Sequence, residues 1–184
     1  MKNLTLTLLA AALMLLPMPR TLSQGKANQS FGFNAASIKG FPTGEASLTG
    51  GGAYDPNPET SFLKAGGGFR CLADVLQGPL SVSINSDDPG ACLTGQGVRW
   101  DTVDLLDSFQ FKCTGAVGEP LKTVVTDDDT VVLVADFYRQ GNGNEESFTA
   151  RMFVSAVDED RDRPGIQNVW IQGVGCGDAI VNFN

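Results

Sequence analysis

The stretch Thr130-Val131-Val132-Leu133-Val134-Ala135-Asp136-Phe137-Tyr138, followed by Phe148-Thr149-Ala150-Arg151-Met152-Phe153-Val154, decides the fold. Both runs are rich in β-branched and aromatic residues, which suit a pleated, half-buried surface. Between them Gln140-Gly141-Asn142-Gly143-Asn144 supplies the residues that turn a chain back on itself. The reading is a β-hairpin.

The same grammar extends in both directions. Leu48-Thr49-Gly50-Gly51-Gly52-Ala53-Tyr54 and Leu63-Lys64-Ala65-Gly66-Gly67-Gly68-Phe69 resemble each other, and Asp55-Pro56-Asn57-Pro58-Glu59 between them is a turn signal. They read as a second hairpin, softened by glycines that mark bulges, bends or close backbone approach. A phosphate-binding loop needs a Lys-Ser/Thr pair and a following helix, and neither is present. From Phe69 the chain alternates, with Phe69, Cys71 and Ala73 on one face and Arg70, Leu72 and Asp74 on the other. Residues 77–97 read as a long surface loop. Val98-Arg99-Trp100-Asp101 resumes an extended pattern, and Thr102 to Asp107 is expected to form one helical turn capped by Asp101. Phe109, Phe111 and Cys113 share a face opposite Gln110 and Lys112. After the charged connection Asp158–Arg163, closed by Pro164-Gly165, come strands at 168–172 and 178–183.

No window carries a helical period. Eight to ten strands with short turns predict an all-β fold. The expected form is a single antiparallel β-barrel with lipocalin-like closure, with a β-sandwich as the alternative.

The N-terminus has a different character. Met1-Lys2-Asn3 brings one positive charge, and Leu4 to Leu16 form an apolar run ended by Pro17 and Pro19. This order is that of a cleavable signal peptide. The run is too short for a transmembrane span, which needs about 20 apolar residues. The expected division is residues 1–25 as signal peptide and 26–184 as a single all-β domain, secreted or periplasmic, with no membrane span. Lys2 and Arg20 fall in the leader, so 26–184 carries 11 basic against 21 acidic residues, a balance of −10. Such a surface repels phosphate backbones, so nucleic acid is excluded as a partner.

Cys71, Cys92, Cys113 and Cys176 make an even count, and in an exported chain they read as two disulfides. Three pairings exist. The preferred one joins Cys71 to Cys92, closing the loop between them, and Cys113 to Cys176, tying a middle strand to the last. Zinc is disfavoured, because no two cysteines are closely spaced and the chain has no histidine.

The absence of histidine also removes the Ser-His-Asp and Cys-His arrangements. No catalytic residue and no cofactor site is assigned. Asp127-Asp128-Asp129 reads as a solvated turn. Asp158, Asp160 and Asp162 imitate the first three ligands of a calcium loop, but Arg163 and Val169 stand where that loop needs Gly and Glu. Glu119, Asp136, Glu145 and Glu146 are the carboxylates available for glycoside hydrolysis, which requires two of them at a set separation. Trp100, Trp170, Tyr54 and Tyr138 either pack the core or line a ligand cavity, with the core favoured. Asn28-Gln29-Ser30 fits the N-glycosylation pattern, which has meaning only in a eukaryotic host.

Gly68-Phe69-Arg70, Gly97-Val98-Arg99-Trp100-Asp101, Phe111-Lys112-Cys113-Thr114, Asp127-Asp128-Asp129-Thr130-Val131-Val132-Leu133 and Gly173-Val174-Gly175-Cys176-Gly177 together resemble a group of uncharacterised secreted bacterial proteins. The resemblance covers most of 26–184. It implies export and a bacterial source, and it carries no activity and no catalytic residues.

Three functions from different classes remain. The leading expectation is a secreted, non-catalytic domain holding a small apolar ligand inside a barrel. The others are a structural or interaction module of the cell exterior, and a histidine-free enzyme built on carboxylates.

Overall fold

The computed structural model describes residues 29–41, 44–57, 60–75, 94–138 and 148–184. The expected signal segment, Asn28, most of the 77–97 loop with Cys92, the 140–144 turn, Glu145 and Glu146 lie outside the described residues.

Ten strands follow one another: β1 (Gln29–Gly40), β2 (Glu45–Asp55), β3 (Phe62–Ala73), β4 (Gly97–Leu105), β5 (Ser108–Phe111), β6 (Lys122–Val125), β7 (Thr130–Tyr138), β8 (Phe148–Ser155), β9 (Val169–Ile171) and β10 (Gly175–Phe183). No helix occurs among the described residues. Eight strands close into an antiparallel barrel in the order β1-β10-β9-β8-β7-β4-β3-β2, and β5 and β6 pair separately. The barrel reading therefore holds over the sandwich. Closure leaves no strand edge in the ring exposed for pairing with another chain.

Both predicted hairpins form. β2 and β3 match Gly50 to Gly67 and Gly51 to Gly66, and β7 and β8 match Leu133 to Met152 and Ala135 to Ala150. The helical turn expected from Thr102 to Asp107 does not form. β4 runs through it, with a register shift between Thr102 and Asp104 against β7. Local capping by Asp101 loses to a ladder that satisfies backbone groups on both sides of the strand.

Inward-facing residues fill the barrel axis. Trp100, Tyr54, Phe137, Leu48, Leu133, Met152 and Ile171 are fully buried. Phe31, Phe33, Tyr54, Trp100 and Phe183 form a chain of ring contacts with centroids 5.9–6.2 Å apart. The inward glycines of the triplets make room for this packing. A Cβ on Gly50 would lie 2.3 Å from the Trp100 ring, and one on Gly67 would lie 2.7 Å from Trp100 Nε1 and 1.9 Å from the Thr49 carbonyl oxygen. The indole N–H then donates to that same Thr49 carbonyl at 3.0 Å.

A second, smaller core lies outside the barrel. Val132, Phe153, Trp170 and Cys176 point outward from β7–β10, and the β5–β6 hairpin covers them with Phe109, Phe111 and Val124. Phe111 meets Phe153 at 4.8 Å and Phe109 meets Trp170 at 5.1 Å. Both faces of these strands are therefore buried, so β7 reads as a nearly unbroken apolar run where β1 alternates. Four links fasten the hairpin: the Cys113–Cys176 disulfide with Cα atoms 4.9 Å apart, the Trp170 indole N–H to the Lys112 carbonyl at 2.7 Å, and the Lys122 ammonium to Asp160 and to Asp162 at 2.5 Å each.

Candidate functional site

On the far side of the barrel no element among the described residues covers the outer surface of β1–β4. Strand alternation sends Trp100 and Phe137 inward, so their neighbours Arg99, Asp101 and Tyr138 point out. Register then brings these three together. Arg99 faces Gly68 on one side and Tyr138 on the other, while Asp101 faces Gly66 and Asp136. The result is a groove of about 470 Å³, floored by Gly66, Gly67 and Gly68 with Trp100 beneath, and walled by Arg99, Asp101 and Tyr138. That volume lies within the range of small-ligand sites, roughly 300–1,000 Å³.

The polar groups of the groove are distinct in kind. The Tyr138 hydroxyl donates to Asp101 Oδ2 at 2.5 Å, and this hydrogen bond, with some burial, holds the phenol above its ordinary range. Tyr138 therefore stays protonated, and its ring is fixed against β4. Among the described residues the Arg99 guanidinium has no carboxylate or carbonyl partner. Beside the groove, the Oδ1 atom of Asp136 is buried with no hydrogen-bond partner. An unsatisfied buried acceptor costs about 1–3 kcal/mol. The set offers a five-donor fork, two acceptors, a fixed aromatic ring and a flat backbone floor.

Of the glycines of that floor, Gly66 lies under the Asp101 carboxylate, whose Oδ1 would be 2.6 Å from a Cβ there, and Gly67 faces inward, whereas Gly68 is open. A Cβ on Gly68 would meet only Thr49 Oγ1, at 3.3 Å, and one on Gly32 in the same outer face would meet nothing within 4 Å. Neither has the positive φ that demands glycine. A strand-interior glycine costs roughly 0.5–1 kcal/mol relative to alanine. Packing accounts for Gly50 and Gly67 but not for Gly68 or Gly32.

The other predicted sites resolve differently. Asp127, Asp128 and Asp129 form the exposed β6–β7 turn, with Asp127 Oδ1 accepting the Asp129 N–H at 2.9 Å. The turn also seals one end of the barrel, where the Tyr54 hydroxyl donates to the Asp127 carbonyl at 2.7 Å and the Gln29 amide donates to Asp128 at 3.0 Å. In the calcium-like loop, Asp158 Oδ1 is occupied by the Asp160 and Gln167 N–H groups. Asp160 and Asp162 converge on the Lys122 ammonium instead, whose pKa they raise, Asp160 more than Asp162. Lysine thus stands where a loop cation needs to be. Glu119 lies near Cys113 Sγ and Asp160, all three within 4.8 Å. The sulfur is committed to a disulfide, and Glu119 accepts the Cys113 and Thr114 N–H groups at 2.9 and 2.8 Å. Of the four aromatics singled out, Tyr54 and Trp100 pack the barrel and Trp170 packs under the hairpin, while Tyr138 alone faces the groove. Among the described residues no cysteine is free. No helix among them is long and apolar enough to cross a membrane.

The groove residues are neighbours across strands, Arg99 standing 31 residues after Gly68 and Tyr138 39 residues after Arg99. The one local signal was the pair of glycine triplets, in which Gly68 is not accounted for by the close contacts that explain Gly50, Gly51, Gly66 and Gly67.

Compared with protein-family models, curated proteins and solved structures, the chain matches none.

Proposed function

We propose that this is an exported, non-catalytic binding domain that takes its ligand in the outer groove of β3, β4 and β7 rather than inside the barrel. The observation that carries this reading is the contrast at the Trp100 level. The inner face is filled by the indole, while on the outer face Gly68 meets only the Thr49 hydroxyl, beside an Arg99 with no ion-pair partner among the described residues. Among the described residues, the space along the barrel axis is occupied by packed aromatic side chains, which favours the outer face over the interior as the binding place. The groove holds recognition groups, with no serine, cysteine or histidine nucleophile-base pair among its lining residues.

Amide chemical-shift mapping of ¹⁵N-labelled protein against a mixed panel of small saccharides, hydroxy acids and fatty acids tests the reading. Shifts should gather on Gly66, Gly68, Arg99, Asp101 and Tyr138. Shifts centred on the inward residues Leu48, Leu133 and Met152 with a fatty acid would restore the interior-ligand reading instead.

A further inference from the structure

We infer that the ligand of the outer groove is a sugar ring bearing a single carboxylate, a uronic-acid residue at the end of an otherwise neutral glycan; this rests on the groove being the binding site. Each requirement comes from a different group. The Arg99 fork, unpaired among the described residues, asks for one anionic partner, and a carboxylate matches it in a two-point contact. The Asp101 carboxylate, which already accepts the Tyr138 hydroxyl, has further lone pairs for hydroxyl donors, which a carboxylate ligand alone does not bring. The open floor at Gly68 admits the edge of a ring against backbone, between the Asp101 carboxylate over Gly66 and the Tyr138 ring.

The alternatives each leave something unpaired. An apolar ring would desolvate Arg99 and Asp101 with nothing in return. A phosphate ester or a polyuronate brings several negative charges to one arginine flanked by two aspartates, on a chain whose overall charge is already negative. A neutral sugar satisfies Asp101 but not the guanidinium. One carboxylate on a polyhydroxylated ring satisfies both.

The test is calorimetric titration of the intact protein with xylotriose carrying one glucuronosyl group, with plain xylotriose, and with polygalacturonate. The singly charged glycan should bind at least about tenfold more tightly than plain xylotriose at low salt, and the gap should narrow as salt is raised. Arg99→Ala should remove that gap while leaving the weaker neutral binding in place, and Arg99→Lys should keep part of it. Gly68→Val, where a side chain fits the strand, should weaken both glycans by filling the floor while the melting temperature holds. Equal affinity for the acidic and neutral trisaccharides, or a preference for polygalacturonate, overturns the uronic-acid assignment and leaves the groove reading intact. Binding that Gly68→Val does not alter, or the absence of binding by all three probes together with shifts elsewhere in the panel mapping, overturns both.

Discussion

The outer face of β1–β4 and the outer face of β7–β10 belong to one closed sheet, yet they are finished in opposite ways. On β7–β10 the outward residues are Val132, Phe153 and Trp170, and a stapled hairpin covers them. On β1–β4 the outward row includes Gly32, Gly51, Gly66 and Gly68, followed by Asp101 and Arg99, and no element among the described residues lies over it. The inner faces are alike: both are apolar and fully packed. Stability of the barrel thus places the same demand on both halves from within, and the difference outside answers to something else. One half spends its exterior on a second core. The other keeps its exterior open at a small cost in strand propensity.

The largest effect that can break this comparison is loss of the staple. Replacing Cys113 and Cys176 together by alanine opens a cross-link spanning 63 residues. The chain-entropy relation gives about 4 kcal/mol for that span, read as a drop in the urea midpoint. The released hairpin should expose Phe153 and Trp170, detected as a red-shifted tryptophan emission before global unfolding. If emission and unfolding stay coincident, the outer cluster is part of the barrel's own cooperative unit and the two faces are less independent than drawn here.

Adjacent glycines give the next test. Gly67→Val drives a side chain into the Thr49 carbonyl and the Trp100 ring, and should cost roughly 3 kcal/mol. Gly68→Val, one residue along and on the other face, should change stability by less than about 1 kcal/mol. Equal losses at both positions in thermal melts would mean that the outer glycines also serve packing.

The smallest effect lies where the two halves meet. Tyr54 on β2 hydrogen-bonds the β6–β7 turn, and Tyr54→Phe should cost about 1 kcal/mol at neutral pH. Burial first, and then the neighbouring Asp127, Asp128 and Asp129, push this phenol far above its ordinary range. The neutral phenol is therefore favoured in the fold. Its contribution is complete below the unfolded value near pH 10 and is lost as pH rises toward the folded one. The wild-type protein should lose stability steadily above about pH 10, and Tyr54→Phe should show a shallower alkaline slope in denaturant titrations.

Much of the fold was legible from period alone. The alternation of Phe69, Cys71 and Ala73 and the two hairpins follow from local pattern, while the even cysteine count pointed to disulfides and left Cys113–Cys176 as a preference among three pairings. The destination of Phe109, Phe111 and Cys113 did not follow from pattern. A strand that buries one face looks the same whether it faces the barrel axis or lies on the barrel's back. The bulge in β4 was read as a cap because Asp101 and its followers satisfy a local rule, while the competing ladder with β7 is long-range. Arg99, Asp101 and Tyr138 escaped notice as a set for the same reason: strand register, not spacing, makes them neighbours.

The seam between β1 and β10 carries one more consequence. Phe31 pairs with Phe183, about 150 residues away, and Phe33 pairs with Val181. Contacts this distant along the chain are among the slowest to form, because the entropy of bringing the ends together is spent before any contact is gained. As the polypeptide emerges, β1–β3 can zip into a ribbon, but that ribbon must wait with one unpaired border until the final strand arrives. During that wait β1 presents free backbone N–H and C=O groups along one side, which marks this border as the point most in need of protection by a chaperone.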